Sequence, residues 1–275
     1  MKLWPMPSFP IPSTKEKKPF EHLVDKGIAA IHRNEFQKVV LSRSETVKLE
    51  NFDAIATFKK LRNTYPAAFT YCFFHPEIGM WFGASPEQLL KVRTNQFETI
   101  ALAGTQKFEG DENVHWENKE QEEQRFVTDF ILENLENVTS DIAFSNPYTY
   151  RAGNLLHIKT DISGTLHEDS NVRQLLDILH PTPAVCGLPK EKARDFILEH
   201  EGYDRKYYSG YLGELDLGFH SGQKMTDLFV NLRCMEIKGD SALLYIGCGV
   251  TKDSDPHKEY IETVNKSMTI KKILF

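Results

Sequence analysis

Two stretches of the chain each carry glutamates three residues apart, Glu120 with Glu123 and Glu259 with Glu262. On a helix of about 3.6 residues per turn, that spacing puts each pair on one face. The Glu259–Glu262 face also carries Lys266, Ile270 and Ile273, while Ile261, Val264 and Met268 line the opposite one. A helix apolar on both sides is a buried helix. Glu120 and Glu123 share half a wheel with Trp116, Val127 and Phe130, whereas Glu117 and Glu122 fall outside it and can be solvated. Either pair alone also fits a solvated face, with Glu262 and Lys266 as an ordinary i, i+4 pair. Taken together they read as one site, because buried carboxylates require a positive charge among them. Ligation by oxygen alone, without His or Cys, selects a hard cation, Mg²⁺ before Ca²⁺, which leaves positions for water and an anionic substrate.

Other residues could act on such a substrate. Lys38 begins the run KVVLSR, where alternation turns it to the same face as Val40 and Ser42. A lysine facing a core loses its proton more readily and becomes a general base; at a strand edge it would snorkel to solvent instead. Ser85-Pro86-Glu87-Gln88 reads as a helix start, with serine cap, proline first and glutamine three after the cap. Glu87 would then feel a helix dipole that lowers its pKa, against burial that raises it, and a general-acid role stays open. Arg233, in NLRC, reads as a strand residue among apolar neighbours that needs an anion, for which a carboxylate is the natural partner. Gly104 with Thr105, and a Gly247-Cys248-Gly249 turn, offer backbone N–H groups that an anion can approach closely. His157, in LLHIK, reads as a satisfied core histidine with at most a contact role.

Positioning these groups takes a helix over residues 114–137 and another from Pro256, with Asp255 as its N-cap and proline at the first position. Before the second lies a buried strand over residues 243–246, ending in the glycine turn. Residues 38–48 are β-branched and strand-like, and follow an amphipathic helix over residues 20–33 that turns Leu23, Val24, Gly27, Ile28 and Ile31 inward. Asp53 caps a helix through Tyr65, with Ile55, Phe58 and Leu61 inward; residues 68–75 and 79–83 form a hairpin about Pro76-Glu77. Strands are expected at 97–102, 142–144, 155–166, 207–216 and 228–237, and helices at 172–179 and 190–200. Strands in hairpin-spaced groups imply an α+β fold with large, mostly antiparallel sheets. Residues 1–19 hold five prolines and read as an extended arm, leaving 20–275 as the folded part.

The 275 residues suffice for one large or two small domains, and 40% hydrophobic with 26% charged residues is an ordinary globular composition. A net charge of −6 gives no reason to expect nucleic acid or an anionic membrane as partner. No apolar run is long enough to span a bilayer, and residues 1–20 lack the apolar core of a secretory signal. Cys72, Cys186, Cys234 and Cys248 are scattered without a C-x-x-C pair, so neither zinc nor disulfides are expected, and cytoplasm is the expected compartment.

From about Phe36 to the C-terminus the chain resembles the chorismate-utilising enzymes, a family of anthranilate, aminodeoxychorismate, isochorismate and salicylate synthases. The resemblance lies in the order and spacing of KVVLSR, FGASPEQLL, LAGT, KEQEE, LLHIKT, LHPTPAVCGLP, YDRKYYSGYLGELD, LFVNLRC and GCGVTKDSDPHKEYIETVNK. It implies sheets packed face to face with helices outside, and chorismate as substrate. It further implies Mg²⁺ held mainly by Glu123 and Glu262, with Glu120 and Glu259 supporting. By the same resemblance Arg233 takes the enolpyruvyl carboxylate, Lys266 lines the site and His157 is the active-site histidine. Lys38 stands where isochorismate and salicylate synthases place a water-activating lysine and anthranilate synthases have glutamine. Ala103 stands where many aminodeoxychorismate synthases carry a nucleophilic lysine. The pattern therefore resembles isochorismate synthase: water attack at C2 with Lys38 as base, and loss of the C4 hydroxyl protonated by Glu87, for menaquinone or siderophore synthesis. Salicylate synthase, and a catalytically silent chorismate-binding or scaffolding protein, are the alternatives. The family's full-length members carry a further N-terminal portion where this chain has its proline-rich arm.

Overall fold

The computed structural model describes residues 14–217 and 225–275. In chain order it runs α1 (Thr14–His32), β1 (Lys38–Lys48), α2 (Ala54–Thr64), β2 (Phe69–His75), β3 (Gly79–Ser85), β4 (Gln88–Arg93) and β5 (Gln96–Lys107). The middle comprises α3 (Asn118–Leu135), β6 (Thr139–Phe144), β7 (Tyr148–Ala152), β8 (Leu155–Leu166), α4 (Val172–Leu179), β9 (Gly187–Leu188) and α5 (Lys190–His200). Four strands and a helix follow: β10 (Tyr211–Glu214), β11 (Met225–Val230), β12 (Cys234–Lys238), β13 (Ser241–Val250) and α6 (Pro256–Leu274).

These strands form two antiparallel sheets, in the orders β2-β3-β12-β13-β1-β9 and β10-β11-β4-β5-β8-β6, with β7 also paired to β8. The sheets share one core, in which Trp81 and Tyr245 of the first meet Leu90, Phe97 and Ile162 of the second, with Ile131 of α3 and Leu175 of α4. On the first sheet, Val39, Leu41 and Val250 pack under Val24 of α1, Phe196 of α5 and Tyr260 of α6. Further along it, Leu244 and Ile246 lie beneath Leu61 of α2 and Ile270 and Ile273 of α6. The expected α+β fold, with antiparallel sheets and helices against them, is the observed one. Among the described residues no helix is long and apolar enough to cross a membrane.

Several local expectations change. Helix α1 already begins at Thr14, so the arm expected over residues 1–19 is helical from there on, in a run of good helix formers whose Glu16 pairs with Arg43 at 3.1 Å. The rest of that arm, residues 1–13, lies outside the described residues. Helix α3 starts at Asn118, leaving Trp116 ahead of it, where the indole donates to Thr149 Oγ1 at 3.0 Å. Ile55, expected inward, is exposed, and Thr57 takes the buried position. Strand β7 has no counterpart in the expected elements, and the run over residues 207–216 is strand only at Tyr211–Glu214.

Two corrections matter for the site. Ser85-Pro86-Glu87-Gln88 starts no helix: Ser85 ends β3 in the first sheet and Gln88 opens β4 in the second. Ser85 Oγ does accept a nearby N–H, that of Glu87 at 3.3 Å, and it donates to Val230 O at 2.5 Å. The cap-like bond thus closes a crossover, because pairing of residues 88–93 with β5 and β11 outweighs the local helix signal. The run 228–237 is likewise two strands, β11 in the second sheet and β12 in the first, joined by a crossover at residues 231–233. Arg233 therefore sits in a break, with φ of +50°, and not on a strand. The two crossovers bond to each other, Ala84 N to Arg233 O at 3.1 Å and Val230 N to Glu87 O at 3.0 Å. That pairing brings Glu87 and Arg233 together.

Candidate active site

Strand β1 delivers Lys38. Beside it β13 runs antiparallel, with Val40 opposite Gly249 and Ser42 opposite Gly247. On its other side β9 pairs only with residues 38 and 39. Beyond that point Val40 N donates to Cys186 O at 2.7 Å and side chains then take over: Arg205 Nη2 donates to Val40 O at 2.6 Å, and Glu201 Oε1 accepts from Ser42 N at 2.6 Å. The strand is thereby held on both edges where its lysine enters the interior.

Gly247-Cys248-Gly249 is not a turn but the end of β13, so the open N–H groups expected there belong to a paired strand. The glycines serve by lacking a side chain. A Cβ on Gly249 would stand 1.9 Å from Glu123 Oε1 and 3.2 Å from Lys38 Cε; one on Gly247 would stand 2.6 Å from Tyr208 Oη. They form a bare floor onto which Glu123, from α3, descends. Lys38 is fully buried, with Nζ 3.1 Å from Glu123 Oε1. Burial pushes the ammonium pKa down; Glu123 offsets this only in part, and the cations Lys119 and Lys266 add to the lowering. Burial pushes Glu123 the opposite way, but Lys38, Lys119 and Lys266 together outweigh it and keep the carboxylate ionised.

Helix α6 faces α3 across a cleft of about 540 Å³, lined by Thr105, Lys119, Glu120, Glu259, Glu262 and Asn265 among others. Asp255 caps α6 by accepting from Lys258 N at 2.8 Å. Each α6 carboxylate is held by a lysine: Lys119 Nζ lies 2.5 Å from Glu259 Oε1, and Lys266 Nζ 2.6 Å from Glu262 Oε1. Lys266 also donates to Gly247 O at 3.1 Å. Glu120, Glu259 and Glu262 line this cleft while Glu123 lies against β13 beside Lys38, and lysines are interleaved with them. Among the described residues no three metal-ligating side chains converge tightly enough to hold an ion as they stand. In kind the donors fit a hard cation: all are carboxylate oxygens, and Oε2 of Glu120 and of Glu259 are buried without a partner.

Buried Glu87 has its pKa pushed up to about 7 by desolvation, against Arg233, Lys38 and Lys266 which pull it down. With no helix at residues 85–88, no dipole opposes that rise. His157 is buried on β8; its Nδ1 donates to Gly104 O at 2.8 Å, which fixes the proton on that nitrogen. Burial, then Arg233 and Lys266, hold the ring neutral with a pKa near 3. Its Nε2 is buried without a partner and can only accept. Gly104 sits at a bulge in β5 with φ of +71°, which turns its carbonyl to the histidine, while Thr105 Oγ1 lies 3.4 Å from the same Nδ1. His157 is thus fixed in one tautomer beside the site instead of being a satisfied core residue.

Two further residues of the site, Lys119 and Tyr208, carry no such signal in the sequence. Lys119 precedes the first glutamate of KEQEE and looks like one more charge on a mixed face. Tyr208 is buried against Gly247, and only the pairing of the two segments makes that glycine its signal.

Residues 7–275 match the family described as chorismate binding enzyme. The chain is 31% identical over 271 residues to the salicylate biosynthesis isochorismate synthase of Pseudomonas aeruginosa, covering 95% of this chain and 56% of that one. It is 28% identical to isochorismate synthase MenF of Escherichia coli, covering 98% of this chain and 64% of that one. Among solved structures, a putative 2,3-dihydroxybenzoate-specific isochorismate synthase, DhbC from Bacillus anthracis, superposes with a TM-score of 0.84 at 28% identity, covering 94% of this chain and 72% of that one. The chain thus spans a little over half to about two thirds of the length of these two curated relatives.

Proposed function

We propose that this chain, which belongs to the chorismate binding enzyme family, converts chorismate to isochorismate. One observation carries the reading: a fully buried lysine with a lowered pKa and a buried carboxyl held near pH 7 share one site with Arg233. That is the pairing needed to deprotonate one oxygen and protonate another at neutral pH. Lys38 takes a proton from water as its oxygen bonds to C2. Glu87 gives a proton to the C4 hydroxyl as that C–O bond breaks, so one water enters and one leaves. Arg233 binds a substrate carboxylate, and Lys266 adds positive charge beside it. The free Nε2 of His157 accepts a hydrogen bond from a substrate hydroxyl. Thr105 lines the cleft, and Gly104 holds the histidine. Bound Mg²⁺, with Glu123 and Glu262 as principal ligands and Glu120 and Glu259 in support, would neutralise and orient the other carboxylate. This assignment and a product destined for menaquinone or siderophore synthesis rest on the family resemblance; a cytoplasmic setting is supported by the four free cysteines.

Chromatography after incubation with chorismate and Mg²⁺ tests the reading. Isochorismate alone is expected. Salicylate with pyruvate would make the chain a salicylate synthase instead, and calorimetric chorismate binding without product would make it a silent binding protein.

The pH dependence follows from the same two groups. Glu87 acts while protonated, so kcat/KM falls as pH rises through about 7. Lys38 acts while neutral, with a pKa that burial lowers, so activity also falls toward acid and the profile is bell-shaped. A profile of kcat/KM that keeps rising beyond pH 8 would remove Glu87 as the acid.

A further inference from the structure

Lys119 reaches from the first turn of α3 across to α6, where its ammonium lies 2.5 Å from Glu259 Oε1, with side chains only 14% and 2% exposed. Glu262 and Glu123 also act on its charge. Three of the four proposed ligands therefore act on one ammonium, and Glu259 is in direct contact with it. A structural ion pair this deep satisfies the remaining oxygens of its carboxylate, because each unpaired buried oxygen is costly. Here Glu259 Oε2 and the neighbouring Glu120 Oε2 stay without partners. The pair fills the charge requirement of the carboxylates but not their coordination. Lys119 also lines the cleft beside them, so its amine has somewhere to go without the helix moving.

We propose that the Lys119 ammonium is a placeholder for the divalent cation, and that metal binding is an exchange in which the ion displaces Lys119 from Glu259 into the cleft. The inference rests on the metal assignment made above and extends it to how the ion enters. Without the ion, Lys119 keeps buried carboxylates from repelling one another and holds α3 to α6. Its removal lowers stability but leaves the carboxylates uncontested for a cation.

Calorimetric titration of metal-free protein with Mg²⁺, without chorismate, tests the exchange. Lys119→Met is expected to bind Mg²⁺ roughly tenfold tighter than the unchanged protein, since a competing cation is gone. Lys258→Met removes an exposed charge from the same cleft and is expected to change affinity by less than about twofold, as solvent and salt screen that charge. The unchanged protein supplies a measurement that needs no variant. Amine-reactive labelling read by mass spectrometry should find Lys119 protected without metal and labelled faster at saturating Mg²⁺. Equal or weaker Mg²⁺ binding by Lys119→Met, or protection that Mg²⁺ leaves unchanged, overturns the exchange while the metal assignment stands. Absence of Mg²⁺ binding by every form, with or without chorismate, overturns the metal assignment and the exchange with it.

Discussion

Lys38→Ala is expected to lower turnover by about 10²- to 10⁴-fold while leaving chorismate affinity within a few fold, the range for losing a positioned proton acceptor. Burial is the reason for expecting so much from one side chain. A solvent-facing lysine is charged at neutral pH and accepts nothing, whereas this one is fully buried and its ammonium is disfavoured by desolvation and by Lys119 and Lys266. Binding should survive, because the substrate contacts proposed for Arg233 and Lys266 do not involve Lys38. The substitution also removes the amine nearest Glu123, but Lys119 and Lys266 still act on that carboxylate. A modest fall in melting temperature is therefore expected, not unfolding. Lys38→Arg sharpens the test: a guanidinium keeps the charge but cannot deprotonate, so it should be as inactive as alanine. Near-normal turnover by either variant would end the assignment of Lys38 as base.

Much of the element content can be read from the chain because local signals and tertiary pairing agree there. The β-branched run of β1 and the helix of α6 behind Asp255 and Pro256 are where periodicity and caps place them. So are α4 and α5. The spacing of Glu120 with Glu123 and of Glu259 with Glu262 suffices to pick out two helices that prove to face one cleft. Disagreement concentrates where a strand passes from one sheet to the other. At residues 85–88 a serine, a proline and a glutamine carry the residue types of a helix cap, and only the partners of Gln88–Arg93 reveal a crossover. Arg233 sits in the matching crossover, with a left-handed backbone that nothing in NLRC announces. The same limit hides Lys119. Its role depends on Glu259, 140 positions away, and no periodicity within one helix carries that information.

The glycines of β13 lead to the second large effect. Gly249→Ala is expected to lower turnover by at least about 10²-fold, the penalty for roughly 1 Å of misplacement at a reacting site, while the protein stays folded. Folding is spared because Gly249 is in an extended strand without a left-handed backbone, so alanine fits the chain itself. The obstacle is what the methyl meets: Glu123 Oε1 at 1.9 Å and Cδ at 2.6 Å, the mobile end of a side chain that can swing away. Relief of the clash therefore takes the form of Glu123 withdrawing from Lys38, and with it one of the two principal ligands proposed for Mg²⁺. Turnover and Mg²⁺ affinity should fall together, with a modest fall in melting temperature as the buried Lys38–Glu123 pair is lost. Cys248→Ala is the control, one residue away on the opposite face of the strand. Its thiol packs in the core with Phe20 and Tyr260, so its truncation should cost about 1–2 kcal/mol of stability and leave turnover near normal. If Gly249→Ala keeps full activity, Glu123 does not need to lie against the strand, and the carboxylate beside Lys38 plays no part in the reaction.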